Sequence, residues 1–163
     1  MSDLLYQTHA IIHLDHIRDN IAGIRAAIGP DRKILAAVKA NAYGHGAVPV
    51  ARMMEAAGVD WFGVATVPEG IELRQAGIAK PILKMSPVFE SEIDAALRHR
   101  LTLTVAEEDG ARAIQAASAR LRAEGAASGP APVHLKVDTG MGRVGVAVDD
   151  AARVATLIQR SCP

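Results

Sequence analysis

One lysine stands out for the place it occupies. In Val38-Lys39-Ala40-Asn41-Ala42-Tyr43-Gly44-His45-Gly46, Lys39 closes the apolar run Ile34-Leu35-Ala36-Ala37-Val38 and opens a glycine-flanked loop. The run reads as a short buried strand, and the carboxyl end of such a strand is where parallel α/β barrels keep their chemistry. An ammonium held beside apolar surface loses hydration, so its pKa tends to fall. An amine with a lowered pKa can attack an aldehyde, form a Schiff base and later act as a general base. A lone lysine in this position more often only snorkels to the rim of the strand; the motif around Lys39 is what tips the balance.

A second group of chemically able residues lies late in the chain. In Val133–Asp138, strand alternation puts His134, Lys136 and Asp138 on one face and Val133, Leu135 and Val137 on the other. The apolar face should pack against outer helices, so the three polar residues point into a barrel, where ionised groups are costly unless paired or hydrogen-bonded. Three on one strand favour a functional over a structural reading. Thr139-Gly140-Met141-Gly142-Arg143 follows. Arg143 offers a planar fork suited to a carboxylate or a phenolate, although an arginine in a glycine-rich loop is by itself usually solvated. His13, His16 and His99 lack metal-ligand spacing and read as structural, and His45, between two glycines, as a turn residue. No metal site is expected.

The elements that must position these residues alternate regularly. His9–Leu14 reads as a first strand. A helix from Asp15 carries Ile17, Ile21, Ile24 and Ile28 as one apolar stripe and stops at Gly29-Pro30. Further strands are expected at Ile34–Ala40, Trp61–Ala65, Pro81–Met85, Leu101–Val105 and Val133–Asp138. The helices between them run to Ala57 and over Glu69–Ala76, Ser91–His99 and Glu107–Ala123, with a last one over Asp149–Arg160. Residues 125–132 form a surface loop by composition. Five βα units in succession imply a parallel sheet, either doubly wound or closed. No glycine-rich dinucleotide fingerprint follows any strand: Gly140, Gly142 and Gly145 precede no immediate helix. The expectation is therefore α/β, an incomplete (β/α)8 TIM-type barrel with about five βα units. A complete barrel takes about 250 residues, and an open parallel edge is a liability, so the chain is expected to be an N-terminal piece of a larger enzyme.

Composition narrows the function classes. Half of the 163 residues are apolar, and 18 basic side chains balance 18 acidic ones. No basic patch marks a nucleic-acid or anionic-membrane partner, no apolar stretch is long enough to span a bilayer, and no signal-peptide pattern opens the chain. The single cysteine, Cys162, excludes an internal disulfide and fits a reducing cytoplasm.

Residues 38–46 and the segment His134-Leu-Lys-Val-Asp-Thr-Gly-Met-Gly-Arg-Val-Gly145 together resemble two motifs of the alanine racemase family, in the family's order. Milder similarity covers nearly all of the chain, including Trp61–Thr66 and Glu69-Gly70. Leu83-Lys84-Met85-Ser86-Pro87 departs from the aliphatic and glycine residues usual there. The resemblance implies that Lys39 carries pyridoxal 5'-phosphate (PLP) and acts as base on one face of an amino acid's Cα, that Tyr43 donates to the cofactor phosphate, and that Met85 faces the cofactor. It implies that Arg143 meets the substrate carboxylate or the cofactor phenolate, that Met141 lines the substrate pocket, and that Lys136 is a site of possible carbamylation. An unmodified Lys136 paired with Asp138 is the alternative, and Asp138 otherwise braces the loop. The family's second acid–base group, a tyrosine, comes from a C-terminal β domain of the other subunit, so a homodimer acting on a small amino acid is implied. Residues 1–14 would pair with that domain, and 15–163 would form the N-terminal portion of the PLP barrel. A serine or broad-specificity racemase, a non-catalytic PLP-binding barrel and a PLP decarboxylase remain alternatives to the interconversion of L- and D-alanine, with the piece inactive alone.

Overall fold

The computed structural model describes residues 8–127 and 129–160. A parallel sheet runs β1 (Leu35–Ala37), β2 (Trp61–Val64), β3 (Ile82–Pro87), β4 (Thr102–Val105) and β5 (Val133–Leu135), its spatial order the same as its chain order. A doubly wound sheet reverses strand order at a switch point; here the order never reverses, which is the winding of a barrel wall. Helices α1 (Leu14–Ile28), α3 (Ala47–Ala56), α4 (Val67–Gln75), α5 (Glu90–Arg98), α6 (Glu108–Ala123) and α7 (Ala151–Arg160) surround it.

Register fixes the two faces. Phe62 lies beside Ala36 and Ile82, and Leu103 beside Lys84 and Val133. This outer face lies under the helices, where Phe62, Val64, Ile82, Leu103 and Val105 are buried together with Leu73, Ile93, Ile114 and Leu121. The inner face carries Leu35, Trp61, Gly63, Leu83, Thr102, Thr104 and His134, and Leu35 on it is 41% exposed. His134 takes the inner side beside Thr104 as its alternation predicted, and its ring rests against Trp61 at 5.3 Å.

Three expectations are corrected. Residues 8–13 form no strand, and Leu14 already belongs to α1. No described strand lies beside them to complete a ladder, and an unpaired strand is not stable. Residues 1–7 and Cys162 lie outside the described residues. The predicted single strand Val133–Asp138 is two: β5 ends at Leu135, and β6 (Val137–Asp138) pairs instead with β7 (Val146–Ala147). Lys136 is the joint, donating its N–H to Val105 on one side and accepting from Val146 on the other. Gly145 makes this crossing possible. A Cβ there would stand 2.5 Å from the Asp138 nitrogen and 2.8 Å from the Val137 carbonyl carbon, and its φ is +139°. Finally, α4 starts at Val67 rather than Glu69, because Thr66 caps it and Glu69 closes a reciprocal capping box.

The amino ends of the strands are held by arginines. Arg25 of α1 pairs with Asp60 at 2.8 Å, and the same carboxylate accepts the Ile34 N–H at 2.7 Å. Arg74 of α4 donates to the carbonyls of Ile78, Lys80, His99 and Arg100, which lead into β3 and β4. Replacing Arg74 with Ala strands those acceptors at the end of the sheet remote from Lys39. The expected cost is about 2–3 kcal/mol, read as a lowered urea midpoint at unchanged slope.

Candidate active site

The carboxyl ends of the strands meet around a cavity of about 340 Å³ lined by Lys39, Ala65, Met85, Ser86, Lys136, Arg143 and Val144. Two sequence segments that could do chemistry, far apart in the chain, are thereby brought to one place. Lys39 follows β1, Met85 and Ser86 close β3, Lys136 sits at the β5–β6 joint, and Arg143 comes from the loop beyond β6.

Lys39 is presented by an unusual backbone. It opens α2 (Lys39–Tyr43), a single turn in which Ala40, Asn41, Ala42 and Tyr43 have φ between 50° and 55°. This is left-handed geometry, which costs an L-residue roughly 1–2 kcal/mol each, and such strain persists only where surroundings enforce it. Four hydrogen bonds do so. Glu69 accepts the Ala40 N–H at 2.8 Å, the Asn41 side chain accepts the Ala47 N–H at 2.7 Å, and Gly44 and Gly46 donate back to Asn41. Val38, 1% exposed, anchors the entry to the turn. His45 joins the same turn, its Nδ1 at 2.8 Å from the Ala42 carbonyl.

Glu69 is the residue that the sequence reading placed only at a helix start. Its carboxylate also accepts the N–H groups of Ala65 and Thr66, at 2.8 and 3.0 Å. Burial pushes its pKa up, but the Ala40, Ala65 and Thr66 hydrogen bonds outweigh that, and the net shift is downward. The signal that could have found it was the Thr66-Val-Pro-Glu69 spacing of a capping box.

Asp138 closes the other wall. Its carboxylate accepts N–H groups from Gly140, Gly142 and Arg143 at 3.0, 3.0 and 2.9 Å, so it braces the loop. The Gly140 and Gly142 bonds lead in holding its pKa below the usual carboxylate value. Among the described residues no ion pair joins it to Lys136.

Two expected residues lie outside the cavity lining. The Tyr43 ring turns out of the strained turn, is 60% exposed, and lies 6.0 Å from Lys39 Nζ. It borders a separate cleft with Ile17, Ala37, Val38 and Met54. Met141 sits at the loop tip, 77% exposed. His13, Asp15 and His16 do approach one another, their donor atoms within 4.8 Å. They are exposed at the amino end of α1, where the helix dipole disfavours a cation, and no metal role is assigned to them. His99 is structural, with its Nδ1 at 2.9 Å from the Ala95 carbonyl. No helix among the described residues is long and apolar enough to cross a membrane.

A barrel wall of five parallel βα units, with a lysine-bearing cavity at the carboxyl ends of its strands, places the chain among the parallel α/β barrel proteins. Residues 12–163 match the family described as alanine racemase, N-terminal domain, and the chain belongs to that family. It is 44% identical over 155 residues to an alanine racemase of Cutibacterium acnes, covering 94% of this chain and 40% of the relative. It is 49% identical over 141 residues to one of Desulforamulus reducens, covering 86% and 36%. Among solved structures it resembles the alanine racemase of Clostridium difficile 630 in complex with cycloserine, with a TM-score of 0.88 and 34% identity, over 97% of this chain and 42% of that one. The chain thus spans well under half the length of these relatives.

The Glu69 clamp has a pH signature. A carboxylate with a depressed folded pKa contributes stability that is complete above its unfolded value, near 4.5, and is lost as pH falls through the folded value. Glu69→Gln should cost about 1–2 kcal/mol at pH 7. In urea titrations its deficit against the parent chain should shrink below pH 4.5; a deficit that stays constant across that range would refute the clamp.

Proposed function

We propose that this chain forms the cofactor-holding part of a PLP-dependent racemase that interconverts L- and D-alanine. The observation that carries the proposal is the convergence of Lys39, Lys136 and Arg143 on one cavity at the carboxyl ends of the strands. The donor set suits the cofactor: one amine for an aldehyde carbon, further cations for its anionic groups, and an apolar thioether in Met85 for its ring. PLP, when bound, supplies an electron sink that makes the Cα–H of an attached amino acid acidic.

The chain's own residues do the rest. Lys39 would hold the cofactor through Nζ, and the same amine, when free, is the group that would remove or return the proton at Cα from one side. The left-handed turn fixes where that amine stands, and Glu69 fixes the turn. Arg143 orients the substrate carboxylate or the cofactor phenolate. Lys136 stands beside it in the lining; as a carbamate it would become an anion able to pair with Arg143. Tyr43 is assigned to the cofactor phosphate as a hydroxyl donor and Met141 to the substrate side of the pocket, although neither lines the cavity as it stands. Proton exchange on the opposite side of Cα requires a second acid–base group, assigned here to a tyrosine of the partner in a homodimer. The single cysteine and the family assignment favour a cytoplasmic setting.

The test is covalent trapping. The full chain is incubated with PLP, reduced with borohydride and mapped by mass spectrometry. A pyridoxyl adduct on the Lys39 peptide, abolished in Lys39→Ala, is the expected result. An adduct confined to Lys136 or to surface lysines would overturn the assignment.

A further inference from the structure

Lys84 lies on the face of the sheet where a lysine is least expected. It is in register with Leu103 on the outer, helix-covered side and is only 3% exposed. A buried ammonium costs several kcal/mol unless its protons are taken up. Lys84 Nζ donates to the carbonyls of Ser86 and Pro87 and to Ser86 Oγ, and it stands 3.7 Å from Glu92 at the start of α5. Burial pushes its pKa below the ordinary lysine value, and Glu92 works against that shift. Apart from Glu92, its partners belong to the two residues that follow Met85, so the ammonium folds the end of β3 back upon itself.

That is also where the ladder slips. Lys84 pairs with Leu103, yet Pro87 pairs with Thr104, which leaves Met85 and Ser86 as an unpaired bulge. Bulges re-aim side chains at the ends of strands, and these two line the cavity with Lys39. The bulge is tied on both flanks: Thr104 Oγ1 donates to the Lys84 carbonyl, and Ser86 Oγ donates to the carbonyl of Ala65, each at 2.6 Å. Ala65 is itself a lining residue. Because the Ser86 hydroxyl spends its proton on Ala65, its lone pairs are free to accept from Lys84. Met85 meanwhile fills the gap over Gly63, where a Cβ would come within 2.8 Å of its sulfur.

We infer that Lys84 is a positioning residue of the cofactor cavity: from behind the sheet it locks the Met85–Ser86 bulge that shapes the wall across from Lys39, and it acts through Ser86 without touching the ligand. The inference rests on reading the cavity as the PLP site. It predicts that removing a cation from the far side of the sheet weakens binding of a phosphorylated pyridine aldehyde.

The experiment titrates PLP into the full chain and into Lys84→Met, Ser86→Ala and the double variant. It reads the visible absorbance of the lysine adduct and the mass trapped on Lys39, with circular dichroism melts run in parallel. The expected result is a cofactor affinity about tenfold weaker in each single variant and no worse in the double than in the weaker single. A tenfold effect shared in this way is a coupling of about 1.4 kcal/mol. A purely structural lysine would lower the melting temperature and give additive losses, and that outcome overturns the inference. So do affinities within twofold of the parent. Should Lys84→Met fail to fold, Lys84→Gln, which keeps a donor for the Ser86 and Pro87 carbonyls, replaces it in the cycle: a loss shared with Ser86→Ala upholds the relay, and additive losses or unchanged affinity refute it. If the parent forms no adduct at Lys39, the reading of the site falls and this inference with it. A normal parent adduct with insensitive variants sinks only the inference.

Discussion

The Glu69 carboxylate gathers three backbone N–H groups, from Ala40, Ala65 and Thr66, that belong to the ends of two adjacent strands and the start of a helix. Without an acceptor each would be an unpaired donor beside a cavity, and the run of left-handed residues after Lys39 would lose its tether. The same carboxylate caps α4, so helix placement and lysine placement are set by one group. Charge makes this economical, because a carboxylate accepts more strongly than a neutral oxygen and can serve several donors at once. The left-handed strain of four residues is tolerable only next to such a cluster of acceptors.

A division of labour between the two ends of the sheet follows. At the amino ends, Arg25 and Arg74 donate to carbonyls and to one carboxylate, which is a stabilising arrangement. At the carboxyl ends the acidic groups, Glu69 and Asp138, are consumed by backbone N–H groups, while the cations Lys39, Lys136 and Arg143 border open space. This matches the rule that a barrel keeps its chemistry at the carboxyl ends of its strands and stabilising contacts at the amino ends. Lys84 bridges the two regimes, since its charge lies within the packed layer and its partners lie at the cavity wall.

The βα alternation was legible because each strand is a short apolar run closed by turn chemistry, and the longer helices, α4 apart, carry a 3.6-residue stripe. What the sequence concealed has physical causes. Lys136 interrupts what reads as one continuous alternating strand, and only the close approach of Gly145 to the Val137–Asp138 backbone shows where the ladder changes partners. The bulge at Met85–Ser86 has no periodic signature, since a two-residue slip preserves which face each flanking residue takes. His9–Leu14 alternates as a strand should, but alternation describes side chains, and a strand also needs a neighbour for its backbone. Lys39 and Arg143 stood out only through the two motifs that carry them, since residue type and loop context alone favour a snorkelling lysine and a solvated arginine, and the left-handed turn at Ala40–Tyr43 had no signal, because alanine, asparagine and tyrosine carry no obligate preference for positive φ.

The sign of the cavity finally constrains what can occupy it. Asp138 is the nearest acid in sequence to Lys136 and Arg143, and it faces the Gly140, Gly142 and Arg143 N–H groups rather than either side chain. Its low pKa keeps it ionised, yet its charge is already satisfied by those dipoles. Three cationic side chains therefore share the lining with no carboxylate among the residues that form it. Like charges that share one lining repel unless an anion intervenes, so this lining suits a ligand with more than one negative group. A phosphate together with a phenolate or a carboxylate meets that requirement, and a neutral or cationic ligand does not.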